Sequence, residues 1–283
     1  MKVYEKVIQV ILLICAMCAI LGVGLITLFI LKEGIPLIGE YGFFKFVGGT
    51  TWAPLRGEYG ILPMIIGSVL TTIGALMIGV PIGIGCAIYL AEIATSHVVK
   101  LMNPIIELLA GIPSVIYGLY GLTVIVPWIR KAFNNQGFSI LAGSIILAIM
   151  VLPTIINISQ NAIKSVPGEY KEGAVALGSS HWQAIVTVII PAARSGIIAA
   201  IVLALGRAIG ETMAIIMVIG NTPVLPKSIL EPARTLTGNI GIEMGYASFE
   251  HQEALFATGI ILFVFIMVLN IGVNMIPKRI GEK

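Results

Sequence analysis

Residues 196–220 read Gly-Ile-Ile-Ala-Ala-Ile-Val-Leu-Ala-Leu-Gly-Arg-Ala-Ile-Gly-Glu-Thr-Met-Ala-Ile-Ile-Met-Val-Ile-Gly, an apolar run broken by two charges, Arg207 and Glu211. A helix needs roughly 20 such residues to cross the hydrocarbon core of a bilayer. Arg207 follows Gly196 by eleven positions, about 16 Å along a helix axis, which puts it near mid-bilayer. An arginine there costs about 3 kcal/mol unless it meets protein, an opposite charge or a water-filled path. Glu211 lies four residues on, on the same helical face, and can pair with it. Two compatible readings stay open. Arg207 and Glu211 neutralise each other and lock neighbouring helices, or Arg207 faces a path and offers its planar donor fork to an oxyanion. Thr212 adds a further possible donor, and Gly206 with Gly210 forms a G-x-x-x-G that permits close helix approach.

The rest of the chain repeats this pattern. Of 283 residues 58% are hydrophobic and 11% charged, against about 25% charged in soluble domains. That composition excludes a soluble globule and a disordered chain, and three cysteines exclude a disulfide scaffold. The expected fold class is an all-α polytopic membrane protein with six transmembrane helices, over approximately 7–31, 61–91, 101–128, 138–161, 196–220 and 251–276. The first stretch is too long for a signal peptide and reads as a retained anchor. The second exceeds a straight crossing, with Gly79 and Pro81 as its expected kink. In domain terms, 1–60 forms an anchor helix and outer loop, 61–276 a five-helix core with an inner loop at 162–195, and 277–283 a tail.

Six crossings put both termini on one side. Nine of the 17 Lys and Arg fall on that side, among them Lys2, Lys6, Lys278 and Arg279, and seven on the other. The basic terminal segments point to the cytoplasm. A net charge of +3 with scattered basic residues argues against nucleic-acid binding. All 14 acidic residues are Glu, which excludes EF-hand loops and Asp-based catalytic triads. Cys15 and Cys18 form a C-x-x-C inside an apolar helix, expected to be buried rather than to hold a metal.

The inner loop carries Ser165-Val-Pro-Gly-Glu-Tyr-Lys-Glu-Gly-Ala-Val-Ala-Leu-Gly178, which predicts a short helix capped by Ser165 and ended by Gly178. Ser180 caps a second short helix expected to stop near Pro191. Two short helices on the inner face make either a docking protrusion or an interfacial hairpin anchored by Trp182. The loop resembles the EAA loop of ABC importer permeases, E-A-A-x3-G-x9-I-x-L-P: Glu172, Gly173 and Ala174, then Gly178, then Val188-Ile189-Ile190-Pro191 at the same spacing. The resemblance implies that Glu172, Gly173, Ala174, Gly178 and Pro191 belong to a coupling element that inserts into a cytoplasmic ATPase subunit. No G-x-x-x-x-G-K-[ST] loop occurs in this chain, so ATP hydrolysis would lie on that partner and the chain itself would be no enzyme.

Gly206-Arg-Ala-Ile-Gly-Glu-Thr-Met-Ala214, Leu109-Ala-Gly-Ile-Pro-Ser-Val-Ile-Tyr-Gly118, Val80-Pro-Ile-Gly-Ile-Gly85, Trp52-Ala-Pro54 and Tyr59-Gly-Ile-Leu-Pro63 are similar to phosphate importer permeases of the PstC type. The resemblance covers roughly 40–276. It implies a MetI-like core without cofactor or metal, and a heterodimer with a PstA-type permease. It also implies a PstB-type ATPase dimer, a PstS-type phosphate-binding protein on the outer loops, and Arg207, Glu211 and Thr212 on the substrate path. Rival readings are a permease for sulfate, molybdate or phosphonate, an ion-gradient symporter, and a membrane sensor.

Other polar residues receive simpler expectations. His97, His181 and His251 read as interfacial anchors. Glu92 and Glu107, at the inner ends of spans two and three, either contact the EAA loop or sit at the interface, the interface being the expected place. Asn157, Ser159, Gln160 and Asn161 read as a solvated helix exit. Trp52, Arg56, Lys227, Glu231 and Arg234 are candidates to meet a binding protein.

Overall fold

The computed structural model describes residues 2–280. The first helix, α1 (Lys2–Tyr41), runs ten residues past the expected end at 31 and absorbs the start of the predicted outer loop. It packs antiparallel on the last helix, α13 (Phe249–Ile280): Phe29 meets Phe256 edge-on, and a Cβ at Gly34 would lie 2.7 Å from the Ala257 backbone. Its apolar side chains from Val7 to Phe29 are otherwise exposed, as are Cys15 and Cys18, which corrects the expectation that the cysteines are buried. A long apolar helix with so little protein around it faces lipid or another subunit.

Beyond α1 come α2 (Phe43–Gly48) and a hairpin, β1 (Trp52–Ala53) with β2 (Glu58–Tyr59), paired Trp52 to Tyr59. Then α3 (Leu62–Ile88) passes unbroken through Gly79 and Pro81 and continues as a π turn over Tyr89–Ile93. The irregularity therefore sits at the inner end rather than at Pro81.

The third crossing, expected at 101–128, is two helices. Helix α4 (Ser96–Gly111) meets the run from Ser114 to Phe133 at 93°, a broken span. Pro113 is the cause: it has no N–H to give the ladder and drives Ile112 to an extended conformation, ψ 127°. The second half comprises α5 (Ser114–Tyr120), a π turn (Gly121–Ile125) and α6 (Val126–Phe133).

Helix α7 (Ile140–Lys164) is the central column. Ser139 caps it by accepting the Ala142 N–H, and Ile146, Leu147, Val151 and Ile155 on it are fully buried. Against it lie α3, admitted by Gly83, where a Cβ would come within 2.7 Å of Ile155 Cγ2, and α10 (Ile190–Gly210). The inner loop is α8 (Gly168–Ala176) and α9 (His181–Ala184), followed by a third π turn, Ile185–Ile189. The outer return holds α11 (Met213–Val218) and α12 (Leu236–Glu243).

Among the described residues, five helical runs are long and apolar enough to span a membrane, and the bent pair supplies a sixth. The six-span architecture stands, with the third span broken. The predicted tail is helical from 277 to Ile280, and residues 281–283 lie outside the described part.

Candidate functional site

Arg207 occupies the last turn of α10 and is exposed, while its neighbours Ala204 and Ala208 are buried against α7. The guanidinium thus points away from the chain's own core. Its one side-chain hydrogen bond among the described residues is long, Nη1 to the Thr154 hydroxyl at 3.5 Å.

The expected pairing with Glu211 is not made. That pairing required the helix to run on, but α10 ends at Gly210, and Glu211 is extended with ψ 128°. Glu211 instead turns its carboxylate forward and accepts the Ala214 N–H at 3.0 Å, capping α11, while its carbonyl accepts the Thr237 hydroxyl at 2.9 Å. Thr212 is half-buried beside it, 3.4 Å from the Gly210 carbonyl. Among the described residues Arg207 forms no salt bridge, and its guanidinium keeps donors free for an oxyanion. Tyr117 helps hold the broken third span through its hydroxyl, 2.7 Å from the Leu109 carbonyl. Nothing in the sequence singled out Thr154, one of three hydroxyl side chains within α7.

At the inner end, Glu172 and Gly173 are exposed on α8 and Ala174 is half-buried. The cap is not Ser165, whose hydroxyl bonds back to the Asn161 carbonyl at 2.8 Å; Pro167 opens the helix instead. Gly178 has φ +95°, the left-handed conformation that L side chains resist, and so turns α8 sharply into α9. Ser180 and Gln183 make a reciprocal capping box. Replacing Ser180 by alanine is expected to cost α9 about 1 kcal/mol; hydrogen exchange at residues 181–184 should quicken about fivefold.

The second helix does not stop at Pro191. It passes through the π turn into α10, and Pro191, which has no N–H to donate, stands just after that turn. The tip of this hairpin displays Leu177, 91% exposed, near Tyr170, Val175 and Trp182, all exposed. Such a run of bare apolar groups on a helical hairpin fits a protein groove.

Glu92 also departs from expectation. It lies in the π turn after α3, and its carboxylate pairs with Lys171 of α8 at 2.5 Å, the two side chains 12% and 27% exposed. Glu107 lines the notch at the break of the third span, with Pro104 and Pro113.

The outer face holds a buried polar cluster that the sequence did not announce. Glu243 accepts from the Trp52 indole at 2.8 Å, shares a 2.8 Å hydrogen bond with His251 Nε2 and pairs with Arg234. Arg234 also donates to the Asn221 carbonyl and to Asn239 Oδ1, each at 2.9 Å. Trp52, Arg234 and His251 therefore pin the outer segments together, and are neither a free docking surface nor a simple interfacial anchor. Burial, with Glu250 and Glu253 nearby, pushes the Tyr59 phenol above its ordinary value, so it stays neutral. Ser159 and Gln160, expected to be solvated, are buried in α7.

Residues 79–282 match the family described as "Binding-protein-dependent transport system inner membrane component". The "Probable ABC transporter permease protein YqgH" of Bacillus subtilis is 41% identical over 267 residues, 90% of this chain and 86% of that protein. The "Phosphate transport system permease protein PstC" of Haemophilus influenzae is 35% identical over 268 residues, 86% and 85% respectively. In fold, the chain resembles a subunit in the crystal structure of a bacterial ABC transporter that imports alginate, with TM-score 0.65 at 19% identity over the full length of both. It also resembles the inward-facing MetNI methionine ABC transporter, with TM-score 0.58 at 18% identity over 82% of this chain.

Proposed function

Because this chain belongs to the inner-membrane components of binding-protein-dependent transport systems, we propose that it is a permease subunit of an ATP-driven importer of inorganic phosphate. The observation that carries the substrate side is Arg207: a lone guanidinium in a membrane span, turned from the core and left free by Glu211. Phosphate leaving an extracytoplasmic PstS-type binding protein enters between this chain and a homologous PstA-type permease. Arg207, hydrogen-bonded to the Thr154 hydroxyl, offsets part of the anion's dehydration at mid-depth, with Thr212 next along the path.

A PstB-type ATPase dimer receives the hairpin around Leu177, and its closure moves α8 and α9 against the spans. Glu172, Gly173, Ala174, Gly178 and Pro191 shape that coupling element. Both termini and the hairpin lie in the cytoplasm.

The test is uptake into vesicles carrying the whole complex. Wild type should accumulate phosphate with ATP and leave sulfate behind. Arg207→Gln should lower phosphate uptake at least tenfold while the complex still assembles. Uptake of sulfate instead of phosphate would refute the substrate, and unchanged phosphate uptake by Arg207→Gln would remove Arg207 from the path.

A further inference from the structure

The ion pair between Lys171 and Glu92 joins two elements that are 79 residues apart in sequence. Lys171 stands on α8, one position before Glu172 in the coupling motif. Glu92 stands in the π turn that ends α3. A π turn is one residue wider than the α-helix around it and recurs at functional positions.

From Glu92, α3 leads back to Gly83, where it touches α7, and α7 leads to Arg207. Helix α3 lies along α7, with Gly83 so close to Ile155 that no side chain fits between them. Thr154, adjacent to Ile155, carries the hydroxyl that meets Arg207. Other inner-face cations are not so placed: among the described residues, Lys171–Glu92 is the one salt bridge between the hairpin and the spans.

We propose that Lys171 and Glu92 are positioning residues that hand movement of the coupling helix to α3 and through it to the Arg207 site. The proposal rests on the reading of the chain as an importer permease. Lys171 and Glu92 touch no substrate; they fix α8 to the end of the helix it must move. Glu92, at 12% exposure, is shielded enough that the pair is not a freely exchanging surface contact. A pair used only to anchor the loop would affect assembly, whereas a pair that transmits movement affects the yield of transport per ATP.

The experiment uses the complete importer in vesicles, with Glu92→Gln, Lys171→Met and the exchanged pair Glu92→Lys with Lys171→Glu. Three quantities are read: copurification of the ATPase, phosphate moved per ATP hydrolysed, and ATP-dependent labelling by an impermeant maleimide of Met213→Cys, an exposed neighbour of the site with no assigned role. The last is read in a chain with Cys15→Ser, Cys18→Ser and Cys86→Ser. Each single variant should retain the ATPase and its hydrolysis, yet move about tenfold less phosphate per ATP and lose the ATP-dependent change in labelling. The exchanged pair should restore both to within about twofold.

Loss of ATPase binding in the single variants would overturn the proposal, because the pair would then serve docking. So would an unchanged transport ratio, or an assembled exchanged pair that restores nothing. Labelling distinguishes this from failure of the functional reading. If the unaltered pair shows the ATP-dependent change but no phosphate enters, the substrate is wrong and the linkage stands. If ATP changes nothing in the unaltered pair, there is no movement to transmit and the linkage falls.

Discussion

Glu243→Ala is expected to lower the unfolding temperature of the detergent-solubilised chain by about 10 °C. Glu243 is 6% exposed and serves three partners at once: the Trp52 indole, the Arg234 guanidinium and the His251 ring. Removing one member of a buried charged set leaves the others without compensation, at about 3–5 kcal/mol, and each kcal/mol moves the midpoint of a domain this size by roughly 2–4 °C. Arg234 keeps its bonds to Asn221 and Asn239, which holds the loss nearer the lower bound. A second variant separates charge from packing. Adding Arg234→Leu to Glu243→Ala should recover part of the loss, since the uncompensated cation has gone. A shift under 2 °C for Glu243→Ala would mean that water already reaches the cluster.

Leu177→Glu should weaken binding of the cytoplasmic ATPase subunit about a hundredfold. Leu177 is 91% exposed at the tip of a hairpin held rigid by Gly178 and the Ser180 capping box. Seating a leucine in an apolar groove is worth roughly 1.5–3 kcal/mol, and forcing a carboxylate into that groove adds a desolvation cost. A combined loss of about 3 kcal/mol corresponds to two decades of affinity. Titration of the detergent-solubilised chain with the ATPase reads this directly, and Leu177→Met, which keeps volume and polarity, should bind within about threefold of wild type. Equal binding by Leu177→Glu would show that the hairpin tip is not what the ATPase grips.

The spans were legible in the sequence because bilayer thickness sets their length and composition alone reports it. The coupling hairpin was legible because turn chemistry is local: Gly178 and Ser180 behave as their residue types demand. Of the two readings open for Arg207, the pairing with Glu211 falls because four-residue spacing has meaning only inside an unbroken helix. The break at Gly210 depends on Glu211 finding a better partner in the Ala214 amide. Likewise Arg234, Glu243, Trp52 and His251 are scattered over 200 positions of chain, and no local pattern announces that a fold will gather them. Glu92 was taken for an interface residue since its partner, Lys171, belongs to a loop whose placement against α3 only the three-dimensional packing decides.

The wide turn at Ile185–Ile189 has a geometric consequence for everything after it. In a regular helix each residue advances 100° around the axis. Rewound as ordinary α-helix with no residue lost, this segment would lengthen the rod by only about 1.5 Å, yet would swing the downstream face by more than a quarter of a revolution. Arg207 would then aim where Ala208 now packs. Which side of α10 looks inward is thus fixed by a single surplus amino acid before the helix begins, far from the guanidinium it orients.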